Sequence, residues 1–213
     1  MDIILFGMQG SGKGTQGKIL AERYGLRVFD MGSELRSIIA SGVPLGLQLK
    51  EIVDRGDLVS DDQIMEVVEE FLRSIPAEQR ILFDGIPRTM IQAEKLMAVL
   101  KQNGRDAFAL NIKISEKEAI HRLTNRRICS NCKEIYPATF EGDRCFKCGS
   151  PLETRQDDSN LDSVKKRLEN FQLETKPVID MFYRNDHLIE VDGEQPIPEV
   201  TDEMIEKAGY LFD

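Results

Sequence analysis

Apolar runs of four to seven residues punctuate the chain at regular intervals, each ending in glycine, aspartate or a polar turn. They fall at Ile3–Phe6, Leu26–Phe29, Arg80–Asp84, Phe108–Ile114 and Leu188–Val191, and predict five strands. Segments of helical period lie between them: Lys13 to about Tyr24, Ser33–Ala40, Leu47–Val53, Asp62–Leu72, Gln92–Leu100, Glu116–Arg126 and Val164–Tyr183. Strands alternating with helices predict an α/β fold, a parallel sheet with helices on both faces. Pro177 lies inside the last helical pattern and predicts a kink or break there.

Two stretches interrupt the alternation. Residues 31–60 hold two short helical patterns where a minimal crossover needs one, and residues 128–157 show no helical period yet hold all four cysteines. Both read as insertions closing over the carboxyl edge of the sheet, where ligands bind in such folds. The expected organisation is a core of residues 1–29, 60–126 and 158–213, with insertions at 30–59 and 127–157.

Length and charge narrow the classes. The 213 residues suit one medium domain with insertions. A net charge of −9 argues against generic binding to nucleic acid or an anionic membrane. No apolar run reaches the length of a transmembrane helix, and the start, with Asp2 in a strand pattern, does not read as a signal peptide. A soluble cytoplasmic protein is expected.

The first strand empties into Gly7-Met-Gln-Gly-Ser-Gly-Lys-Gly-Thr15. Glycines let backbone N–H groups turn inward around an anion, and the following helix adds the positive end of its dipole. Lys13 would reach the outer phosphates as a charge. The strict pattern, G-x-x-x-x-G-K-[ST], is met at Gly7, Gly12 and Lys13, but Gly14 stands where the hydroxyl belongs and Thr15 follows one position later. The alternative is a glycine-rich turn with a chance lysine. The strand before it and the helix after it favour a nucleoside triphosphate loop.

Cys129-x2-Cys132 and Cys145-x2-Cys148 are separated by twelve residues. Two such knuckles suit a four-thiolate structural Zn²⁺, with a single iron as the alternative metal and disulfides or free thiols as the metal-free one. Four ligands leave no position for water, so the role is structural. The segment between the knuckles has few apolar residues, and a metal would stand in for its missing core.

Asp84 ends the strand Arg-Ile-Leu-Phe-Asp and is placed to hold Mg²⁺ through water. Arg88 follows closely, and Arg36, Arg126, Arg155 and Arg167 flank the two insertions. Singly, each arginine reads as surface; around one phosphate site they read as forks for phosphoryl oxygens. His121 and His187 are isolated, and no nucleophile–base set appears. An acceptor that is itself a phosphate needs no general base, only alignment and neutralisation of charge.

GMQGSGKGT, Gly32 with Leu35-Arg36, DGIPR with Gln92, Arg126-Arg127, and TRQDD before KKRL occur in this order. The chain therefore resembles the adenylate kinases with a zinc-bearing lid, from residue 1 to about 200. The resemblance implies phosphoryl transfer from MgATP to AMP by a P-loop nucleoside monophosphate kinase core with a small helical monophosphate-binding insertion, a zinc-ribbon-like lid, and a monomeric state. It implies that Gly10, Ser11, Gly12, Lys13, Gly14 and Thr15 hold the ATP phosphates, with Thr15 and Asp84 on Mg²⁺. Arg122, Ile135, Tyr136 and Gln195 would meet ATP. On the AMP side it implies Met31, Arg36, Asp57, Leu58, Val59, Gly85, Ile86, Pro87, Arg88 and Gln92, the last reading the adenine edge. Arg126, Arg155 and Arg167 would clamp the phosphates, with Asp157 and Asp158 at the lid hinge. Departures from the family pattern are Met31-Gly32-Ser33 where Thr-Gly-Asp is usual, Asp57 for a common lysine, Ile86 for a common phenylalanine, and a shorter gap between the cysteine pairs. Uridylate and cytidylate kinases share this fold but typically lack the lid cysteines and the glutamine. The remaining alternatives are a different monophosphate or GTP as donor, a non-catalytic nucleotide-binding module, and a zinc-ribbon interaction module on an inactive scaffold.

Overall fold

The computed structural model describes residues 1–42, 44–55, 57–137, 139–154, 158 and 160–212, with the side chains of 44 and 45 also left undescribed. Five parallel strands form the central sheet: β1 (Asp2–Gly7), β2 (Arg27–Asp30), β3 (Ile81–Asp84), β4 (Ala107–Lys113) and, at the far edge, the last strand of the chain, Leu188–Asp192. Their spatial order is β2, β3, β1, β4, then the last strand. Pairing places Ile3 beside Leu82 and Phe108, so β1 is central. It is buried along its whole length, as an all-parallel sheet covered on both faces requires.

Alternate residues of β1 feed two cores. Ile4 and Phe6 pack with Phe29, Phe83 and Ala109 on one face. Ile3 and Leu5 pack with Leu20, Leu82, Leu110 and Ile112 on the other. The first core is covered by α4 (Asp61–Ser74) and α5 (Met90–Gln102), and the second by α1 (Lys13–Tyr24). The remaining helices are α2 (Met31–Ala40), α3 (Pro44–Asp54), α6 (Glu116–Asn125), α7 (Leu161–Asn170), α8 (Lys176–Arg184) and α9 (Ile197–Ala208). The expected strands and helices are present with ends shifted by a few residues. α9 is additional: Pro196 and Pro198 punctuate its start, where the missing proline N–H costs nothing, and Val200, Met204 and Ala208 bury against the second core. It is pinned to α1 through buried Gln16, whose amide donates to Ile197 O (2.9 Å) and accepts from Thr201 Oγ1 (2.7 Å).

The interruption expected at Pro177 takes the form of a π-helical turn, Phe171–Thr175, joining α7 to α8. Proline lacks an N–H and its ring crowds the carbonyl four residues back; a wider turn just before it relieves both. α2 and α3 form the first insertion, after β2. The second is a three-stranded antiparallel sheet of β5 (Arg127–Cys129), β6 (Ile135–Tyr136) and β7 (Leu152–Thr154), with β5 in the middle. The last core strand is accordingly β8. Among the described residues no helix is long and apolar enough to cross a membrane.

Candidate active site

β1 lies where the strand order turns back on itself, with β3 on one side and β4 on the other, and a crevice opens outside its carboxyl end. The glycine loop fills that crevice. Gly7 has φ 149°, and a Cβ there would meet Ser11 Oγ at 2.5 Å and Ile112 O at 2.7 Å, so no side chain fits. Gly12 caps α1 in the left-handed region, φ 96°, with open space around it. Lys13 folds back over the loop and donates to Gly7 O (2.6 Å) and Met8 O (3.2 Å). Inside the loop the buried Gln9 Oε1 and Ser11 Oγ have no partner among the described residues. A loop of inward-turned backbone with orphaned polar atoms suits a polyoxyanion.

Charge converges here. Lys13 is half-buried, and its ammonium, folded back over the loop, is crowded by protein. That burial lowers its pKa from 10.5 to about 8, against the attraction of Asp84 and with help from Arg88, Arg126 and Arg167. The same enclosure raises the Asp84 carboxyl, with Lys13 opposing, Asp30 adding to the rise, and Arg88 and Arg36 opposing it. The five expected cations Lys13, Arg36, Arg88, Arg126 and Arg167 thus act on one small region. Gly14 lies beside Asp84, a Cβ on it falling 4.0 Å from Asp84 Oδ2. Asp84 at the end of β3 and Thr15 in the first turn of α1 offer oxygen donors of the kind Mg²⁺ takes through water.

Each arginine is held by an identifiable partner. Arg126 and Arg167 both grip Asp158, whose side chain is fully buried: Arg126 through Nε and Nη2 (3.0 Å to Oδ1), Arg167 through Nη1 (2.9 Å). Arg88 donates Nε to Gly85 O (2.9 Å). Its backbone is fixed from two sides, its N–H donating to Gln92 Oε1 (2.7 Å) and its carbonyl accepting from Thr175 Oγ1 of the π turn (3.0 Å). Arg36 reaches Ser33 Oγ (2.9 Å) and Asp30. Arg122 pairs with Glu118 (2.6 Å) and lies 3.5 Å from Gly10 O.

A cavity opens beside these groups. Met31, Arg36, Asp57, Leu58, Val59, Gly85, Arg88, Gln92 and Arg167 line it, together with Gln9, Gly32 and Leu35 from the quoted motifs and with Val53, Ile64 and Asn170, which the sequence reading did not single out. Ile86 is not on its wall; it is buried in the first core, ahead of Pro87 in a cis peptide. Met31 serves both wall and core, 1% exposed. Asp57, at the cavity edge, is ion-paired with Lys166 (2.7 Å) of α7 and with Arg55 (3.1 Å), which hold its carboxyl below the usual range. Gln195 spends its amide on Asp192 O (3.2 Å) and on Glu203. Arg155 and Asp157 lie outside the described residues.

In the second insertion the four cysteine sulfurs all lie within 4.8 Å of one another, with Cys129–Cys148 and Cys132–Cys145 at 3.4 Å. Tetrahedral Zn²⁺ with bonds of about 2.3 Å sets its sulfurs about 3.8 Å apart, so the donor set fits structural zinc. The Cys132 N–H donates to Cys129 Sγ (3.4 Å) and Tyr136 Oη to Cys145 Sγ (3.2 Å). Tyr136 is therefore part of the knuckle, buried against Phe140, while Ile135 remains exposed on the surface beside it. Glu134 ties this unit to α1 through Lys18 (3.4 Å).

A parallel sheet with a phosphate loop at its switch point, a cysteine-built lid and a second seat ringed by arginines defines a P-loop nucleoside monophosphate kinase. The profile of the adenylate kinase family matches residues 5–187. The chain is 37% identical to the adenylate kinase of Bacillus velezensis, over 99% of both chains. It is 36% identical to that of Archaeoglobus fulgidus over 96% of both, and 36% identical to that of Bacillus subtilis over 99% of both. The chain belongs to the adenylate kinase family.

Proposed function

We propose that this chain transfers the terminal phosphoryl group of MgATP reversibly to AMP, giving two ADP. The observation that carries the reading is the convergence of Lys13, Asp84 and the arginines between the glycine loop and the adjoining cavity. ATP occupies the loop from Gly10 to Thr15, with Arg122, Ile135, Tyr136 and Gln195 on the adenosine side. AMP occupies the cavity, its phosphate on Arg36 and Arg88 and its base against Met31, Leu58, Val59, Gly85 and Gln92, with Asp57 at the rim and Ile86 and Pro87 setting the backbone between Gly85 and Arg88 from behind the wall.

An AMP phosphate oxygen, already ionised near neutral pH, attacks the γ-phosphorus in line. The new P–O bond forms as the β–γ bridging bond breaks, and its electrons leave on ADP. Lys13, Arg88, Arg126, Arg155 and Arg167 spread the charge of the transferring group. Thr15 and Asp84 would hold Mg²⁺ through water, and the ion would supply positive charge to offset that of the ATP phosphates. No histidine is required: His187 stacks on Phe108 at 6.0 Å, and His121 is exposed. Residues 30–59 and 127–157 are the moving parts, closing over the core to exclude water. The protein works as a cytoplasmic monomer without nucleic acid or membrane.

The test is chromatography of products from MgATP mixed separately with AMP, GMP, UMP, CMP or dAMP, and from AMP with GTP. Rapid ADP formation with AMP is the expected result. Preference for another monophosphate would make Met31 a specificity residue. No transfer, with ATP still bound, would make the chain a nucleotide-binding module.

A further inference from the structure

An amide side chain offers a carbonyl and an NH₂ in nearly the same volume, so either end-for-end orientation fills its site equally well. At Gln92, 2% exposed in the cavity wall, two neighbours that cannot exchange roles settle the orientation. The Arg88 backbone N–H can only donate, and it lies 2.7 Å from Gln92 Oε1. The Asp61 carboxylate can only accept; its Oδ1 takes a hydrogen bond from Gln92 Nε2 (2.9 Å) and another from Thr89 Oγ1 (2.9 Å). Arg88 cannot turn away to accommodate a reversed amide, because Thr175 holds its carbonyl. Reversal would set NH₂ against N–H and C=O against carboxylate, two mismatches where burial makes each costly.

This arrangement leaves Gln92 one oxygen lone pair and one N–H toward a ligand. An adenine edge offers their complement, the 6-amino donor beside the N1 acceptor. A 6-oxopurine offers the reverse, an oxygen acceptor beside an N1–H donor. We infer that Asp61 is a positioning residue for base selection: it locks the Gln92 amide in the orientation that accepts a 6-aminopurine monophosphate and rejects a 6-oxopurine one. The inference rests on the reading above that Gln92 meets the base.

Its neighbour supplies a control. Asp62 carries the same charge in the same first turn of α4, but is paired with Lys95 (2.5 Å) on the surface and has no contact with Gln92. The experiment measures kcat/KM for AMP and for IMP, with MgATP, on wild type, Asp61→Asn, Asp62→Asn and Gln92→Met. Asparagine donates as well as accepts, so it tolerates either amide orientation. The AMP-over-IMP ratio is expected to fall about tenfold in Asp61→Asn, the energy of one satisfied hydrogen bond, with KM for the monophosphate rather than kcat carrying the change. It should hold in Asp62→Asn and collapse in Gln92→Met. Since the ratio compares two substrates on one preparation, any loss of folded protein cancels. A retained ratio in Asp61→Asn with a collapsed one in Gln92→Met overturns the role of Asp61 and leaves the base reading standing. Ratios retained in both overturn the base reading and the inference with it. An equal fall in Asp61→Asn and Asp62→Asn would trace the effect to helix charge and overturn the inference.

Discussion

Lys13 is expected to cost the nucleotide-free protein stability, and the cost should have a pH signature. Burial lowers its pKa from 10.5 to about 8. At about 1.4 kcal/mol per pH unit, holding the ammonium charged at neutral pH costs up to about 3.5 kcal/mol, and about 2–3 once the partial exposure of the residue is allowed for. Between pH 8 and 10.5 the unfolded chain binds a proton at this lysine that the folded chain has released. Unfolding then takes up protons, so the contribution of Lys13 to stability rises with pH through this window and the cost is full below pH 8. The perturbation is Lys13→Met, which keeps the length and removes the charge. The assay is urea unfolding of both proteins, zinc retained and nucleotide absent, at several pH values from 7 to 10. Other titrating groups cancel in the difference, and repeating the pair on an Asp84→Asn background removes the coupling between the two buried charges. Relative to the methionine variant, wild type should gain about 2–3 kcal/mol between pH 7 and 10. A difference flat with pH would refute the reasoning and return Lys13 to ordinary solvated behaviour.

Arg88→Ala is expected to lower kcat/KM by about three orders of magnitude with AMP while shifting the melting midpoint little, because the role proposed for its guanidinium is on the AMP phosphate; steady-state kinetics beside a melting curve checks this. Stripping zinc should lower the melting temperature of the lid more than the initial rate, since the metal replaces a core around Cys129 and Cys145 and leaves the phosphate loop intact; calorimetry after verified metal removal decides it. Asp158→Asn removes the buried carboxylate from between Arg126 and Arg167 and should cost about 3 kcal/mol in urea unfolding, with kcat falling as both arginines lose their anchor.

Much of this was legible because parallel strands and phosphate loops leave strong local signals. The apolar run Ile3–Phe6 followed by glycines and Lys13 announced a strand and the loop at its end, while its central place in the sheet came only with the fold, and two C-x2-C pairs located the cluster that the fold brings within 4.8 Å. Arg36, Arg88, Arg126 and Arg167, which the fold gathers in one region, were legible as candidate phosphate ligands only through their order along the chain, since an arginine carries no periodic signal of its own. What escaped was of two kinds. α9 was hidden because prolines stand where a helix tolerates them. The supporting groups were hidden because their partners are distant in sequence: Asp61 on Gln92, Thr175 on Arg88, Tyr136 on Cys145 across the knuckle, and Asp158 shared by two arginines. Tyr136 shows the limit best, since a residue expected at ATP is also a structural part of the thiolate cluster.

These supporting groups follow a division of labour that electrostatics requires. Cations crowded into one seat repel one another, and a seat built from them folds only if carboxylates are set among them. Asp158 takes up Arg126 and Arg167, and Asp30 takes up Arg36. Lys13 is treated differently: its hydrogen bonds go to the carbonyls of Gly7 and Met8, and burial pushes its pKa down, opposed by Asp84 and helped by three arginines. Its charge is the one most costly to hold in the free protein and the one that gains most from an incoming phosphate. An arginine already satisfied by a buried carboxylate binds phosphate by exchange and gains modestly, whereas Lys13, whose desolvation outweighs the attraction of Asp84, gains a counter-charge that offsets it. Differential stabilisation of this kind concentrates on the group being transferred, which is where a phosphotransferase without a general base has to find its rate.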